Sequence, residues 1–365
     1  IQMALYEGLV SPHPETLEPV PAVAESWDVS DDGRVYTFRI RGEARWSDGE
    51  PVTAADFYFA WKRILNPELA APYATFFYVI EGAEAYHRGE ITDFSQVGIR
   101  VSEAGNFVVQ LKNPTPYFLQ VLMHPAASPI RESVLKQSGA TTSRGNPWVK
   151  PKTFVGNGPF ILKAWRPNVY VEVTPNPEYW DRETVSLNGI RFYAMDEPGA
   201  EERAFLSGQL HVTDALPPTR VGAYRDEENS PLRIDPYLGT YYLLLNTEVG
   251  PLEDQRVRRA LALAIDRESI VRNLLGAGQQ PAYSFVPDNM PGYSPPEGPG
   301  FDPERARQLL SEAGFSGGKG FPELTYLFNT SESHKRIAEA IQSMWREHLG
   351  VEVSLINQEW RVYLD

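Results

Sequence analysis

The six histidines are the side chains most able to perform chemistry in this chain, yet their spacing gives no support for a metal centre. A helical zinc site of the metalloprotease type needs two histidines four residues apart. No pair here has that spacing, and the chain contains no cysteine, so thiolate ligands, cysteine nucleophiles and disulfides are excluded as well. We therefore expect no metal and no cofactor. The histidines are His13, His87, His124, His211, His334 and His348.

Glycine-rich and acidic groups add no positive evidence for an enzyme. The run at residues 317–320 lacks the hydroxyl residue after Lys319 that a phosphate-binding loop requires. The run at residues 156–158 is too short for a dinucleotide-binding motif, and Pro159 follows where a helix would have to begin. A hydrolase would have to use carboxylates such as Asp214 or Glu359 as acid and base, and no paired spacing supports that.

Aromatic residues are the most abundant candidates for ligand contact. The chain has 8 Trp, 17 Phe and 18 Tyr, and the rings of Trp and Tyr join a large apolar face to a polar tip. Such side chains suit a pocket that grips varied ligands. The net charge of −14 and the pI of about 5.0 disfavour nucleic acid and anionic membrane surfaces as partners. No run of about 18 apolar residues could span a bilayer.

A small α+β lobe is predicted in the first third of the chain. Residues 31–34 and 47–49 have the composition of turns, and residues 35–40 and 106–111 alternate as strands do. Thr53 can cap a helix whose first turn carries Asp56, and apolar residues then recur at helical spacing. We expect that helix to extend to about Pro67.

The remaining chain predicts further domains of mixed α/β type. At 365 residues, two or three domains are expected. Asp254 and Asp302 can each cap a helix with a buried apolar stripe. The order strand, helix, strand over residues 324–356 predicts a βαβ unit with a right-handed crossover. The bulky apolar residues at 233–246 predict a strand that is buried on both faces.

Motifs along the whole chain resemble the peptide/nickel-binding type of bacterial extracellular solute-binding proteins, family 5, to which the oligopeptide-binding proteins belong. The most specific is an aromatic residue and an Asp-Gly turn followed by Pro-x-Thr-Ala-x-Asp-Phe, at residues 46–57. Eight further segments share the resemblance in the family's order. They are residues 5–9, 24–27, 115–118, 157–160, 176–180, 236–242, 256–261 and 357–360.

The resemblance implies an α/β, periplasmic-binding-protein-like fold (type II, cluster C), with two hinged lobes and an extra small α+β domain. Residues 8–130 would form the extra domain, residues 1–7 and 131–238 part of lobe I, and residues 239–365 part of lobe II. The implied function is that of the substrate-binding component of an ABC importer. It would be a periplasmic or extracellular monomer, exported by a signal peptide and lipid-anchored where the full-length precursor carries that signal. It would deliver oligopeptides to a membrane permease and would not be an enzyme.

Family members hold an extended peptide through its main chain, as if adding a strand, and leave its side chains in roomy hydrated pockets, so sequence preference is weak. By resemblance, the tyrosines and the tryptophan of the pocket would form apolar walls, while Asn329 and His334 would hold waters or polar atoms of the ligand. The plainer interpretation of His334 is a solvent-facing residue early in a helix. The implied pocket residues are Tyr73, Tyr237, Tyr242, Asn329, His334 and Trp360.

The chain departs from the family pattern in two respects. Gly239 stands where the nearest family members carry one cysteine of a disulfide, so that bridge is not used. The family's aspartate that pairs with the peptide amino group would come after Asp365, and the first strand of lobe I before Ile1. The chain therefore resembles a fragment truncated at both ends. We expect residues 1–365 alone to bind peptide weakly or not at all, and a calorimetric titration that gave tight binding would contradict this.

Two alternatives stay open from the sequence. The same fold could carry dipeptides, nickel or haem chelates, or oligosaccharides instead of oligopeptides. A hydrolase that uses the interlobe cleft is the other alternative, although no motif supports it. Mass spectrometry after incubation with mixed peptides separates a carrier, which keeps its ligand intact, from an enzyme, which cleaves it.

Overall fold

The computed structural model describes residues 1–142, 147–235, 237–287, 290, 293–296 and 298–364. Within these residues the chain divides into two compact units, an N-terminal unit, Ile1–Met195, and a C-terminal unit, Asp196–Asp365. This division does not follow the domain limits expected at residues 130 and 238, which stay predictions.

The described residues of the N-terminal unit form three antiparallel sheets and short helices. The sheets have the strand orders β1-β2, β3-β4-β6-β5 and β7-β8-β9. The strands are β1 (Val10–Pro12), β2 (Pro19–Pro21), β3 (Ala24–Val29), β4 (Val35–Ile40), β5 (Ile99–Val101), β6 (Phe107–Gln110), β7 (Phe160–Arg166), β8 (Tyr170–Pro175) and β9 (Ile190–Tyr193). The α-helices are α1 (Gln2–Leu5), α2 (Ala54–Ile64), α3 (Ala83–His87), α4 (Phe118–Leu122) and α5 (Glu132–Ser138), and 3₁₀ turns span Pro72–Val79, Phe94–Gln96, Pro125–Ala127, Pro147–Val149 and Arg182–Thr184.

Helix α2 begins where the sequence predicts it. The carboxylate of Asp56 accepts hydrogen bonds from the main-chain amide of Thr53 at 2.8 Å and from its hydroxyl at 2.9 Å. This contact fixes the entry into the helix and places a negative charge at its positive end. The preceding turn is also confirmed: the amide of Gly49 donates to the carbonyl of Trp46 at 2.8 Å, and Gly49 adopts a φ of +88° that favours glycine.

Aromatic side chains join α2 to the four-stranded sheet. Trp61 is fully buried, and its ring meets those of Phe77 and Phe107 edge to face, at centroid distances of 4.9 Å in both cases. Its Nε1 donates to the carbonyl of Ala127 at 3.0 Å, so the one polar atom of the ring is satisfied inside the core. The predicted small α+β lobe is thus present, with a single aromatic core.

The turn at residues 156–158, Gly-Asn-Gly, holds the first residues of the chain. The amide of Glu7 donates to Asn157 Oδ1 at 3.1 Å, and Asn157 Nδ2 donates to the carbonyl of Glu7 at 2.9 Å. A Cβ at Gly158 would lie 2.6 Å from main-chain atoms of Leu5 and Tyr6, so only glycine permits this approach. Three of the motifs that carry the family resemblance therefore meet here, at residues 5–9, 157–160 and 176–180, and Tyr179 and Trp180 of the last one donate to the Glu7 carboxylate.

The C-terminal unit is built around a two-stranded parallel sheet, β10 (Leu324–Asn329) and β11 (Val353–Gln358). The predicted strand, helix, strand order and the parallel pairing are confirmed. Its helices are α6 (Pro198–Leu206), α7 (Pro218–Arg225), α8 (Gln255–Leu263), α9 (Arg267–Ser269), which continues as a π-helix (Ile270–Leu275), α10 (Pro303–Glu312), α11 (Glu332–Leu349) and α12 (Trp360–Leu364). Further 3₁₀ turns are Gly250–Glu253 and Ser316–Gly318.

Capped helices form the core of this unit. Asp254 Oδ1 accepts from the amide of Arg256 at 2.8 Å, and Asp302 Oδ1 accepts from that of Arg305 at 2.9 Å, as the sequence predicts for α8 and α10. Helix α11 buries Trp345, whose Nε1 donates to the carbonyl of Leu261 in α8 at 2.9 Å. The helices and the parallel sheet share one apolar core.

The predicted strand at residues 233–246 is wrong. Its described residues form no strand, and Tyr237, Leu238 and Leu244 are exposed. Burial of an apolar segment is favourable, so apolar composition predicts that the segment will be covered. Composition does not supply the neighbouring strand whose hydrogen bonds a strand needs. Within the described residues, β10 and β11 pair only with each other in this unit. Strand β8 is the opposite case, because it pairs on both edges and the sequence did not predict it.

Candidate ligand-binding site

The carboxyl edge of the parallel sheet brings three predicted binding residues into one region of the C-terminal unit. Asn329 ends β10 opposite Gln358, which ends β11. His334 lies in the first turn of α11, and Trp360 begins α12 just after β11. Ligands of α/β proteins commonly bind at the carboxyl ends of parallel strands, where helices begin. This edge is the candidate site of the C-terminal unit.

Asn329 and His334 form a direct pair. The Nδ1 atom of His334 lies 2.7 Å from Oδ1 of Asn329, so Nδ1 carries a proton and the other ring nitrogen can face a ligand. Partial burial lowers the pKa of His334 below its ordinary value of 6.5. The imidazole is therefore neutral at pH 7 and offers a neutral polar contact. His334 is partly buried in the first turn of α11, and its ligand-binding role stays a prediction.

Two tyrosines that the sequence did not single out complete this region. The ring of Tyr241 lies 5.0 Å from that of His334, and its hydroxyl is 3.4 Å from the hydroxyl of Tyr326. Burial raises the pKa of both phenols, so both keep their protons at neutral pH. Tyr326 shares a strand face with Phe328, and Tyr241 adjoins Tyr242, but nothing in their sequence spacing shows that they meet.

The other predicted residues of this unit do not contact the Asn329–His334 pair in the hydrogen bonds and ring contacts of the described chain. Trp360 stacks on Tyr363 with centroids 5.8 Å apart and keeps about half of its surface exposed. Tyr242 contacts Phe285 at 4.9 Å rather than the Asn329–His334 pair. The side chain of Tyr237 is 92 % exposed, so the structure does not bring it to the other site residues. Their ligand-binding roles stay predictions.

Tyr73 lies in the N-terminal unit, on the 3₁₀ turn Pro72–Val79, within a cluster of three rings. Its ring centroid is 5.3 Å from that of Phe76 and 4.6 Å from that of His124. The Nδ1 atom of His124 accepts from the amide of Ala126 at 3.1 Å, so a neutral His124 carries its proton on Nε2. Burial lowers the pKa of His124, which keeps the ring neutral at pH 7. The half-exposed ring of Tyr73 is thus an apolar surface that the rings of Phe76 and His124 hold in place.

Features that would support catalysis are weak in the described part of the chain. No group of three or more His, Asp or Glu side chains there could hold a metal ion. The letters at residues 314–318 fit the Gly-x-Ser-x-Gly spacing of a serine-hydrolase elbow, but Ser316 follows helix α10 and begins a 3₁₀ turn instead of joining a strand to a helix. The amide of Asp214 donates to Glu201 at 2.9 Å, which is a structural contact.

Comparison with known proteins decides the family. The family model for bacterial extracellular solute-binding proteins, family 5 (middle region), matches residues 18–365. The chain belongs to this family. The periplasmic murein peptide-binding protein of Escherichia coli K12 is 37 % identical over 99 % of this chain and 67 % of its own length. The periplasmic oligopeptide-binding protein of Salmonella typhimurium LT2 is 36 % identical over 99 % of this chain and 66 % of its own length.

Solved structures show the same fold. The structure of the E. coli murein tripeptide-binding protein aligns with a TM-score of 0.91 at 36 % identity, over all of this chain and 71 % of that protein. The Haemophilus influenzae oligopeptide-binding protein, solved with the peptide RPPGFSPFR, aligns with a TM-score of 0.89 at 33 % identity, over all of this chain and 71 % of that one. The expected periplasmic-binding-protein-like α/β fold is confirmed.

The chain spans about two thirds of the length of the curated relatives it matches. Those relatives are periplasmic proteins by name. Among the residues that the structure describes, no helix has the length and apolarity to cross a bilayer.

Proposed function

We propose that this protein is the substrate-binding component of an ABC importer and that it captures oligopeptides for delivery to a membrane permease. The observation that carries the proposal is the match over the whole chain, in sequence and fold, to periplasmic peptide-binding proteins, one of them solved with a nonapeptide. Family members are solute-binding proteins, so the protein would bind and release its cargo without converting it. It would act in the periplasm or outside the cell, anchored by lipid where its precursor carries that signal.

The geometry of the two units supports peptide binding through shared main-chain features. The carboxyl edge of β10 and β11 offers the neutral Asn329–His334 pair and two protonated phenols, which suit the polar atoms of a peptide backbone. The rings around Tyr73 offer an apolar surface for side chains. Such groups discriminate little between peptide sequences.

The proposal keeps the ligand-binding residues and domain limits that the resemblance implies. Residues 1–7 and 131–238 would belong to lobe I, residues 239–365 to lobe II, and residues 8–130 to the extra domain, with the peptide enclosed by the lobes of a monomer. The ligand would contact Tyr73, Tyr237, Tyr242, Asn329, His334 and Trp360.

Mass spectrometry of the small molecules that accompany the purified full-length protein tests this function. We expect intact peptides of a few residues, in a mixture of sequences. Recovery of metal chelates, haem or oligosaccharides alone would show that the protein carries a different class of ligand. The carrier role would then stand, and the oligopeptide cargo would be wrong. A second incubation with a defined peptide mixture tests for catalysis, because peptide fragments that accumulate with time would contradict a pure binding role.

A further inference from the structure

A cavity of about 180 Å³ lies in the N-terminal unit next to the ring cluster of Tyr73. His124 lines the cavity and also contacts the rings of Tyr73 and Phe76. Complete small-molecule pockets commonly measure roughly 300–1,000 Å³, so this volume suits one side chain of a larger ligand. The cavity is therefore placed and sized as a subsite beside a proposed peptide-contacting residue.

The described lining of the cavity contains one acidic side chain and no Lys or Arg. Glu7 and Tyr179 both line it, and Glu7 is the sole Asp, Glu, Lys or Arg among the described lining residues. The other side chains of the lining are apolar or neutral, and the pKa of His124 is lowered by burial, so this ring adds no positive charge at pH 7. An anionic group in such surroundings attracts a cationic partner more strongly than it would in water.

The Glu7 carboxylate has unused hydrogen-bonding capacity. Its Oε1 accepts from the Tyr179 hydroxyl at 2.5 Å, and its Oε2 accepts from Trp180 Nε1 at 2.7 Å. An ionised carboxylate has about four acceptor positions, so about two remain after these bonds. Arg41 stacks on the ring of Trp180 at 4.0 Å and donates its Nε to the carbonyl of Ala22. Its charge lowers the pKa of Glu7, against the larger opposite effect of burial. In the described chain no Lys or Arg forms an ion pair with Glu7.

We propose that this cavity is a side-chain subsite of the peptide-binding site and that it takes a basic side chain whose cationic nitrogen donates to Glu7. Lysine, arginine and other diamino acids have the required donor at the end of an apolar stem. The stem would pass the Tyr73–His124 rings, and the charged end would reach the carboxylate. The inference rests on the proposed function, because it requires a peptide held beside Tyr73.

The test is a calorimetric titration of the full-length protein with two series of tetrapeptides. In one series lysine is moved through the four positions of tetra-alanine, and in the other norleucine replaces that lysine, which removes the ammonium and keeps the stem. At one position we expect lysine to bind roughly tenfold more tightly than norleucine. In the Glu7→Gln variant we expect this preference to disappear, and it is measured as the ratio of lysine-peptide to norleucine-peptide affinity in the same variant, so that a general loss of binding cancels.

Glu178→Gln is the matched control, because it makes the same change at an exposed residue of the neighbouring turn that does not line the cavity. It should keep the lysine preference. If wild-type protein binds none of the peptides, the proposed function fails. If the peptides bind and the ratio of lysine to norleucine affinity is the same with and without Glu7, the subsite proposal alone is refuted.

Glu7 also holds the turn at residues 176–180, so Glu7→Gln could unfold the unit. A second variant, Ser11→Phe, fills the cavity from a partly exposed position in its lining. We expect it to weaken binding of the preferred lysine peptide at least tenfold relative to tetra-alanine. Equal affinity of Ser11→Phe and wild-type protein for that peptide would overturn the proposal.

Discussion

Removing the Tyr179 hydroxyl is the sharpest single perturbation that the structure offers. In Tyr179→Phe, the carboxylate of Glu7 loses a 2.5 Å hydrogen bond and keeps the one from Trp180. A hydrogen bond to a charged group contributes about 1.5–3 kcal/mol, against about 0.5–1.5 kcal/mol for a neutral pair. The ring itself is retained in its buried position, so little packing is lost. Where Glu7 is ionised, we expect the free energy of unfolding to fall by about 2 kcal/mol.

The cost of this substitution should depend on pH. Burial raises the pKa of Glu7 above its ordinary value of 4.5, while the hydrogen bonds from Tyr179 and Trp180 act in the opposite direction. A raised acid pKa means that the folded state binds the proton more tightly than the unfolded state. The stability linked to Glu7 is therefore fully present below the unfolded pKa and is lost as the pH rises through the folded pKa.

Loss of the Tyr179 hydroxyl raises the pKa of Glu7 further, so the penalty of Tyr179→Phe is largest where Glu7 is ionised. It should shrink to about 1 kcal/mol once the carboxyl is protonated. Urea unfolding monitored by tryptophan fluorescence over a series of pH values measures this. For an m value of about 2 kcal/mol/M, the midpoint should shift by about 1 M where Glu7 is ionised.

Tyr6→Phe is the matched control, because the hydroxyl of Tyr6 donates to a neutral acceptor, the carbonyl of Val155, at 3.4 Å. Its cost should be small and should not follow the titration of Glu7. A double-mutant cycle with Glu7→Gln isolates the pair. The reasoning is refuted if Tyr179→Phe costs as much in the Glu7→Gln background as in the wild type, or if its cost does not change with pH.

Three further predictions concern the C-terminal unit. Trp345→Phe leaves the buried carbonyl of Leu261 without its donor, so thermal unfolding should show a loss of about 1–3 kcal/mol, and no change in melting temperature would contradict this. Asp302→Ala removes a helix cap and should lower the free energy of unfolding by about 1 kcal/mol in denaturant unfolding. Asp302→Asn keeps an oxygen that can accept the same bond, so it should retain most of the stability. Equal costs of the two variants would disprove the capping role. The lowered pKa of His334 means that protonation disfavours the fold. The stability linked to it is fully present above its unfolded pKa of about 6.5 and is lost as the pH falls through the lower folded pKa. An NMR titration midpoint above the unfolded pKa would show the sign to be wrong.

Local features of the fold were predictable because their causes are local. The hydrogen bonds that cap the helices at Thr53, Asp254 and Asp302 join residues no more than three positions apart. A short stretch of sequence therefore contains both partners. The parallel strands around α11 follow from periodicity and from the crossover that a helix of this length permits. These predictions are confirmed.

Predictions that required distant partners were less successful. Residues 233–246 have the composition of a buried strand, but strand formation depends on a neighbour that composition cannot identify. The Tyr241–Tyr326 contact joins residues 85 positions apart, and the Glu7–Tyr179 bond joins residues 172 apart. The motifs around Glu7, Asn157 and Tyr179 were visible in the sequence, but their convergence on one carboxylate was not.

The central claim is that this protein holds peptides through features that all peptides share and leaves them unchanged. The most direct measurement is calorimetric titration of the full-length protein with several tri- and tetrapeptides of unrelated sequence, followed by mass spectrometry of the released ligand. We expect most of them to bind, with affinities within about a hundredfold of one another, or about 2.7 kcal/mol, and the peptides to be recovered intact. Binding of none, or recovery of cleaved peptide, would contradict it.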